Sequence, residues 1–199
     1  MNVFFDVETS GLQPKGAEWE SNYKDFPYIV QLSWKRSDSE IVKDFIIKPA
    51  GYTIPEEAAK IHGITTEIAI EKGVLFEKVI NLFISDCAEA QYVIGHNCYF
   101  DTSNLKANTL KLIESGKLSS DTIERLNSSI DKEKRIDTMF ETTAFCNIPF
   151  ANGRGKKWPK LEELYFKLFN ETFNAHNSKD DALATERCYI RLVELGIIK

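Results

Sequence analysis

Apolar and polar residues alternate in short runs over the first fifty positions, then recur at helical spacing through most of the rest. MNVFFDVE is the first run, and YIVQLSWKR (28–36) and EIVKDFIIKP (40–49) follow it as strand-like segments. The polar break Ser37-Asp38-Ser39 between the last two suits an antiparallel hairpin. From Ile54 the pattern changes. PEEAAKIHG opens on proline and two acids and closes on Gly63, the start and stop signals of a short helix. LFEKVINLFISDCAEA (75–90) repeats Leu75, Val79, Leu82 and Phe83 at helical spacing.

QYVIG (91–95) reads as a short buried strand, and a long helical stretch follows through Leu105, Leu112 and Ile113. Residues 115–134 are polar and show no clear period, whereas RID (135–137) suits a last short strand. LEELYFKLFN (161–170) and DDALATERCYIRLVEL (180–195) predict closing helices. A meander followed by alternating strands and helices implies an α/β domain with a mixed sheet. GAEWESNYKDF (16–26) reads as a loop inserted between the first two strands.

The first strand carries an oddity. Side chains two apart share a strand face, so Asp6 and Glu8 stand side by side while Val7 points the other way. Two neighbouring carboxylates repel, so one takes up a proton unless a cation, a basic side chain or solvent relieves it. Two later stretches also put chemistry at the ends of elements. In GHNCYFD a strand gives way to a helix with Asp101 in its first turns. In HNSKDDA, His176 precedes a helix whose start contains Asp181.

Each has an ordinary alternative. Acids at a strand end are commonly solvated. Asp101 suits the positive end of a helix whatever its function. Ser178-x-x-Asp181 resembles a capping box with aspartate replacing glutamate, and Asp180 is a rival about 100° away around the helix. Taken together the residues fit phosphodiester hydrolysis. That reaction needs an activated water, neutralised phosphate oxygens and a stabilised leaving oxygen. Two divalent cations held by carboxylates meet all three needs, and a histidine supplies a base near neutral pH.

Composition narrows this reading. The 199 residues suit one domain with a substantial core, and an apolar fraction of 43% excludes a disordered chain. A net charge of −5 disfavours a general polyanion binder, although bound cations and a local basic patch keep nucleic acid open as a ligand. Cys87, Cys98, Cys146 and Cys188 are widely spaced, which argues against a zinc site and for free thiols in a reducing, intracellular compartment. No signal segment or membrane-length apolar run is evident, so a cytoplasmic protein is expected.

FDVETSGL, IHGIT (61–65), HNCYFD (96–101), RIDT (135–138) and HNSKDD (176–181) occur in the order found in the DEDDh 3′–5′ exonucleases, which the chain resembles from about Asn2 to Leu192. That group includes the proofreading epsilon subunit of bacterial replicative polymerase, and RNase T. The resemblance implies a single exonuclease domain over 1–199 with a ribonuclease H-like three-layer fold. Its five-stranded mixed sheet would have strand two antiparallel and helices on both faces. It implies two divalent cations, Mg²⁺ or Mn²⁺, with Asp6 bridging them, Glu8 and Asp181 on the ion holding the nucleophilic water, and Asp101 supporting the second. His176, five positions before Asp181, matches the general base, and this register selects Asp181 over Asp180.

Thr9 and Leu12 match positions beside the terminal nucleotide. Phe100 could stack on a base or pack in the core, and Asn97 could orient a phosphate or cap the following helix. His62 reads as structural. Arg154, Lys156, Lys157 and Lys160 surround Trp158 in a loop that could meet nucleic acid or simply be solvated, and the likeness of this W-P-x-L-E-x-L-Y segment to related chains implies that Trp158, Leu161 and Leu164 partly serve packing. The expected substrate is the 3′ end of a single strand, DNA favoured, released as nucleoside 5′-monophosphates. An exoribonuclease and a non-catalytic binding module are the alternatives, and a DNA polymerase is the partner that the resemblance admits.

Overall fold

The computed structural model describes residues 1–198. Five strands, β1 (Asn2–Thr9), β2 (Ile29–Arg36), β3 (Val42–Ile46), β4 (Tyr92–Gly95) and β5 (Arg135–Asp137), form one sheet in the order β3-β2-β1-β4-β5. β2 runs antiparallel to both β1 and β3, whereas β1, β4 and β5 are parallel. The helices are α1 (Trp19–Asn22), α2 (Glu56–His62), α3 (Thr66–Lys72), α4 (Phe76–Glu89), α5 (Cys98–Glu114), α6 (Asp121–Ser129), α7 (Thr138–Cys146), α8 (Leu161–Phe169) and α9 (Ser178–Glu194).

The period of two along β1 divides the interior. Val3, Phe5 and Val7 enter a core with residues of α4, α5 and α6. Phe4 enters a second core with Leu164 of α8 and Cys188 and Leu192 of α9. Asp6 and Glu8 follow Phe4 in the alternation and face α9. The β1–β2 register slips beside them: Glu8 opposes Gln31 but Thr9 opposes Ile29, which leaves Val30 as an extra residue. Such a bulge twists the strand end and re-aims its side chains.

α9 covers the polar face of β2. Gln31, Ser33 and Lys35 are 2%, 0% and 7% exposed, although their alternation with Leu32 and Trp34 suits a solvated face. The Ser178 backbone N–H donates to Gln31 Oε1 at 3.3 Å, and the Ser33 and Ser178 hydroxyls meet at 2.7 Å. Further along, Lys35 pairs with Glu186 at 2.6 Å. Charged and hydroxyl groups buried in this way persist only with partners, and each partner fixes the position of α9 on the sheet.

The aperiodic segment 115–134 contains α6, whose face buries Thr122 and Ser129 as well as Leu126. Two polar residues on the inward face hide the helical period. The expected 16–26 loop folds into α1 and a 3₁₀ turn (Tyr23–Asp25), anchored on α5 by Lys106 over the Trp19 ring at 4.9 Å and by the Lys24–Glu114 pair. The four cysteines are free and buried, and no described helix is long and apolar enough to cross a membrane.

Candidate active site

β1 pairs with β4 only from Asn2 to Phe4 and then runs on alone beside β2. A crevice opens where the two parallel strands part, at their carboxyl ends, the usual ligand position in open α/β sheets. There the Val7 N–H has no strand partner and donates to Asp101 Oδ1 at 3.1 Å. Asp101 is thus fixed to the edge of β1 from the first turn of α5.

The start of α9 brings Asp181 to the acid pair. One ligand oxygen from each of Asp6, Glu8 and Asp181 lies within 4.8 Å of the others. Asp180 is turned aside and accepts from Asn174 Nδ2 at 2.9 Å. The helix cap is Asn177, which accepts from the Lys179 N–H at 3.2 Å, so the Ser178-x-x-Asp181 capping box is not formed. Asp181 instead accepts the His176 N–H at 3.0 Å. His176 is exposed and held at φ 68°, a left-handed conformation uncommon for a non-glycine residue and frequent where a functional side chain must be aimed.

Electrostatics make this cluster unsatisfied. Burial raises Asp6 well above the usual carboxylate range, and the charges of Asp101, Asp181 and Glu8 raise it further. Burial and then Asp181 push Glu8 up to about 8. Asp181 is pushed up to about 7, mainly by burial, against the opposing His176 N–H. Burial raises Asp101 as well, with the Val7 N–H pulling the other way. The molecule must either protonate these groups or supply positive charge, and hard oxygen donors at this spacing suit a divalent cation. Asp101 stands beside this three-residue group and outside it.

A cleft of about 590 Å³ runs past the acids, lined by Asp6, Leu12, Asn97, Phe100, Trp158, Lys160, His176 and Asp181 among others. Leu12 is 88% exposed. Phe100 lines the cleft and also packs against the first core. Thr9 is buried, and its hydroxyl donates to Gly11 O at 2.6 Å, which leaves only its backbone for a substrate contact. Lys157 is tied to Glu163 at 2.5 Å, so its charge is already engaged. Leu161 and Leu164 are core residues, whereas Trp158 is 60% exposed and does little packing. His62 is buried and accepts the Ile64 N–H through Nδ1 at 3.1 Å.

Capping by Asn97 fails. Its side chain makes no cap hydrogen bond, and its backbone takes up the left-handed region at φ 71°. The start of α5 is capped by Asp137, whose Oδ1 accepts from the Asn97 N–H at 2.9 Å and Oδ2 from the Cys98 N–H at 2.8 Å. Asp137 Oδ1 also accepts from the Met139 N–H at 3.0 Å and so caps α7. The sequence reading assigned no role to Asp137; an aspartate between a strand and the next helix was the available signal. His96 carries no local signal of its role. Its ring bridges Thr138 Oγ1 and Pro159 O, each at 2.9 Å, and ties the Trp158 loop to the start of α5.

Residues 3–189 match the family described as RNase_T: Exonuclease. No curated protein matches the chain. Among solved structures, E. coli Exonuclease I in complex with a dA16 oligonucleotide is 20% identical, with a TM-score of 0.69 over 97% of this chain and 40% of that one. A moderately thermophilic Exonuclease I from Methylocaldum szegediense is 20% identical at a TM-score of 0.70, again over 97% of this chain and 40% of its own. A zinc-bound form of the E. coli ExoI–ssDNA complex is 21% identical at 0.67, over 98% and 40%. These likenesses bear on the fold, which is ribonuclease H-like as expected, and the chain spans about two fifths of the length of those relatives.

Proposed function

The chain belongs to the RNase_T exonuclease family and is a nuclease of the hydrolase class, and from that premise we propose that it removes nucleotides from the 3′ end of single-stranded DNA as 5′-monophosphates. The observation that carries this is the meeting of Asp6, Glu8 and Asp181 within 4.8 Å in a cleft that also exposes His176. Asp6, Glu8 and Asp181 would hold one divalent cation and Asp6, helped by Asp101, a second, Mg²⁺ or Mn²⁺. Bound there, such ions neutralise phosphate oxygens, acidify water and stabilise the leaving oxygen.

The chain's own groups do the remainder. The His176 imidazole takes the proton from the attacking water, and the hydrogen bond from the His176 backbone N–H to Asp181 fixes the loop that aims the ring. Leu12 and Phe100 offer apolar surface to the terminal base, the Thr9 backbone reaches the sugar, and the Asn97 side chain, spared from capping, is free to orient a phosphate. Asp137 keeps α5, and with it Asp101, in register with β1. Relatives crystallised with single-stranded oligonucleotides support DNA as the substrate class.

The test is a product ladder. Single-stranded DNA and RNA labelled at the 5′ end are incubated with the protein and Mg²⁺, Mn²⁺ or EDTA. Stepwise shortening of DNA that needs metal and fails with Asp6→Asn is the expected result. Equal or faster shortening of RNA would reassign the substrate to RNA ends. Internal cuts, or no product with either metal, would overturn the proposal.

A further inference from the structure

The cleft wall beyond the acids holds an aromatic side chain that packing does not explain. Trp158 is 60% exposed although Phe140 braces its ring edge-on, with centroids 5.1 Å apart at 85°. Its loop is fixed and does not behave as a free flap. Pro149 and Lys156 form an antiparallel bridge, the Lys157 N–H donates to Ile148 O at 2.8 Å, and His96 Nε2 lies 2.9 Å from Pro159 O. A rigid indole presented to solvent inside a cleft is a platform for a flat partner.

Lys160 stands two residues on. It is the one Lys or Arg side chain that lines this cleft, where Asp6, Glu162 and Asp181 are acidic, and it makes no ion pair among the described residues. In a chain of net charge −5, an unpaired cation beside an exposed indole complements an anion attached to a ring. We infer that Trp158 and Lys160 form a subsite for the nucleotide preceding the terminal one, the indole against its base and the ammonium against its phosphate. This rests on the exonuclease reading and extends it. Every base offers a π-face, so the subsite tolerates any sequence, but it requires an unpaired strand whose bases can leave a stack.

The experiment measures binding of thymidine 5′-monophosphate and of a thymidylate tetranucleotide by wild type, Trp158→Ala, Trp158→Phe and Lys160→Gln, with Ca²⁺ in place of Mg²⁺ to hold back cleavage. Wild type should bind the tetranucleotide more tightly than the monophosphate. Trp158→Ala should lose roughly 5- to 150-fold on the tetranucleotide and nothing on the monophosphate. Trp158→Phe should keep most of the affinity, which also guards against a folding defect in the alanine variant. Lys160→Gln should flatten the salt dependence by a slope of about 0.7. Trp158→Ala matching wild type on the tetranucleotide, or losing the monophosphate equally, overturns the subsite alone. A wild type that neither binds nor shortens oligonucleotides overturns the exonuclease reading with it.

Discussion

Asp137→Ala removes a carboxylate that caps two helices at once. Three backbone N–H groups lose their acceptor: Asn97 and Cys98 at the start of α5 and Met139 at the start of α7. An N-cap contributes about 1 kcal/mol, up to about 2, and a negative charge at a helix start adds about 0.3–1 kcal/mol. Two ends together make the expected loss about 3–6 kcal/mol. For a chain of this size that is a fall of roughly 6–24 °C in Tm. Asp137→Asn should sit close to the alanine variant. Its remaining oxygen can serve Asn97 and Met139, but its amide would confront the Cys98 N–H, donor against donor. Urea unfolding followed by circular dichroism gives the stability difference directly. A loss below about 1 kcal/mol for Asp137→Ala would show that water replaces the carboxylate and that Asp137 does not hold the α5 junction.

His176→Gly should stay within about 1 kcal/mol of wild-type stability, because glycine accepts the left-handed backbone without strain, while turnover collapses; a fully active variant would remove the base from His176. Asp181→Asn should abolish oligonucleotide shortening while Asp180→Asn, which loses only an Asn174 contact, leaves it nearly intact; reversed rates would exchange their roles. Glu8 and Asp181 have folded-state values raised to about 8 and about 7, so the folded protein binds protons that the unfolded chain releases. In EDTA its stability should therefore be greatest below about pH 4 for these groups and fall as pH rises toward about 8, and added Mg²⁺ should flatten that fall; Tm measured across this range with and without metal decides it, and an unchanged slope would refute the cation assignment.

The acid pair was legible because it needs only the two-residue period of a strand, and Val7 and Phe4 entering opposite cores is that period realised. The choice of Asp181 over Asp180 was not available from spacing. It came from resemblance, and physically it depends on which side of α9 meets the sheet, a matter settled by Ser33, Gln31 and Ser178. α6 and α7 escaped notice because Thr122, Ser129, Thr138 and Thr142 point inward, so polarity no longer tracked exposure. Asp137 escaped because its partners at Asn97 and Cys98 lie across a helix and a long polar segment, and a contact between distant positions leaves no local periodicity.

The attachment of α9 to β2 has a consequence for biosynthesis. β1 precedes α9 along the chain, so Asp6 and Glu8 leave the ribosome before Asp181 does. A polypeptide lacking α9 has Asp6 and Glu8 without Asp181 and, on the proposed function, should not shorten nucleic acid. The proposed activity would then appear only once α9 has closed over the polar face of β2.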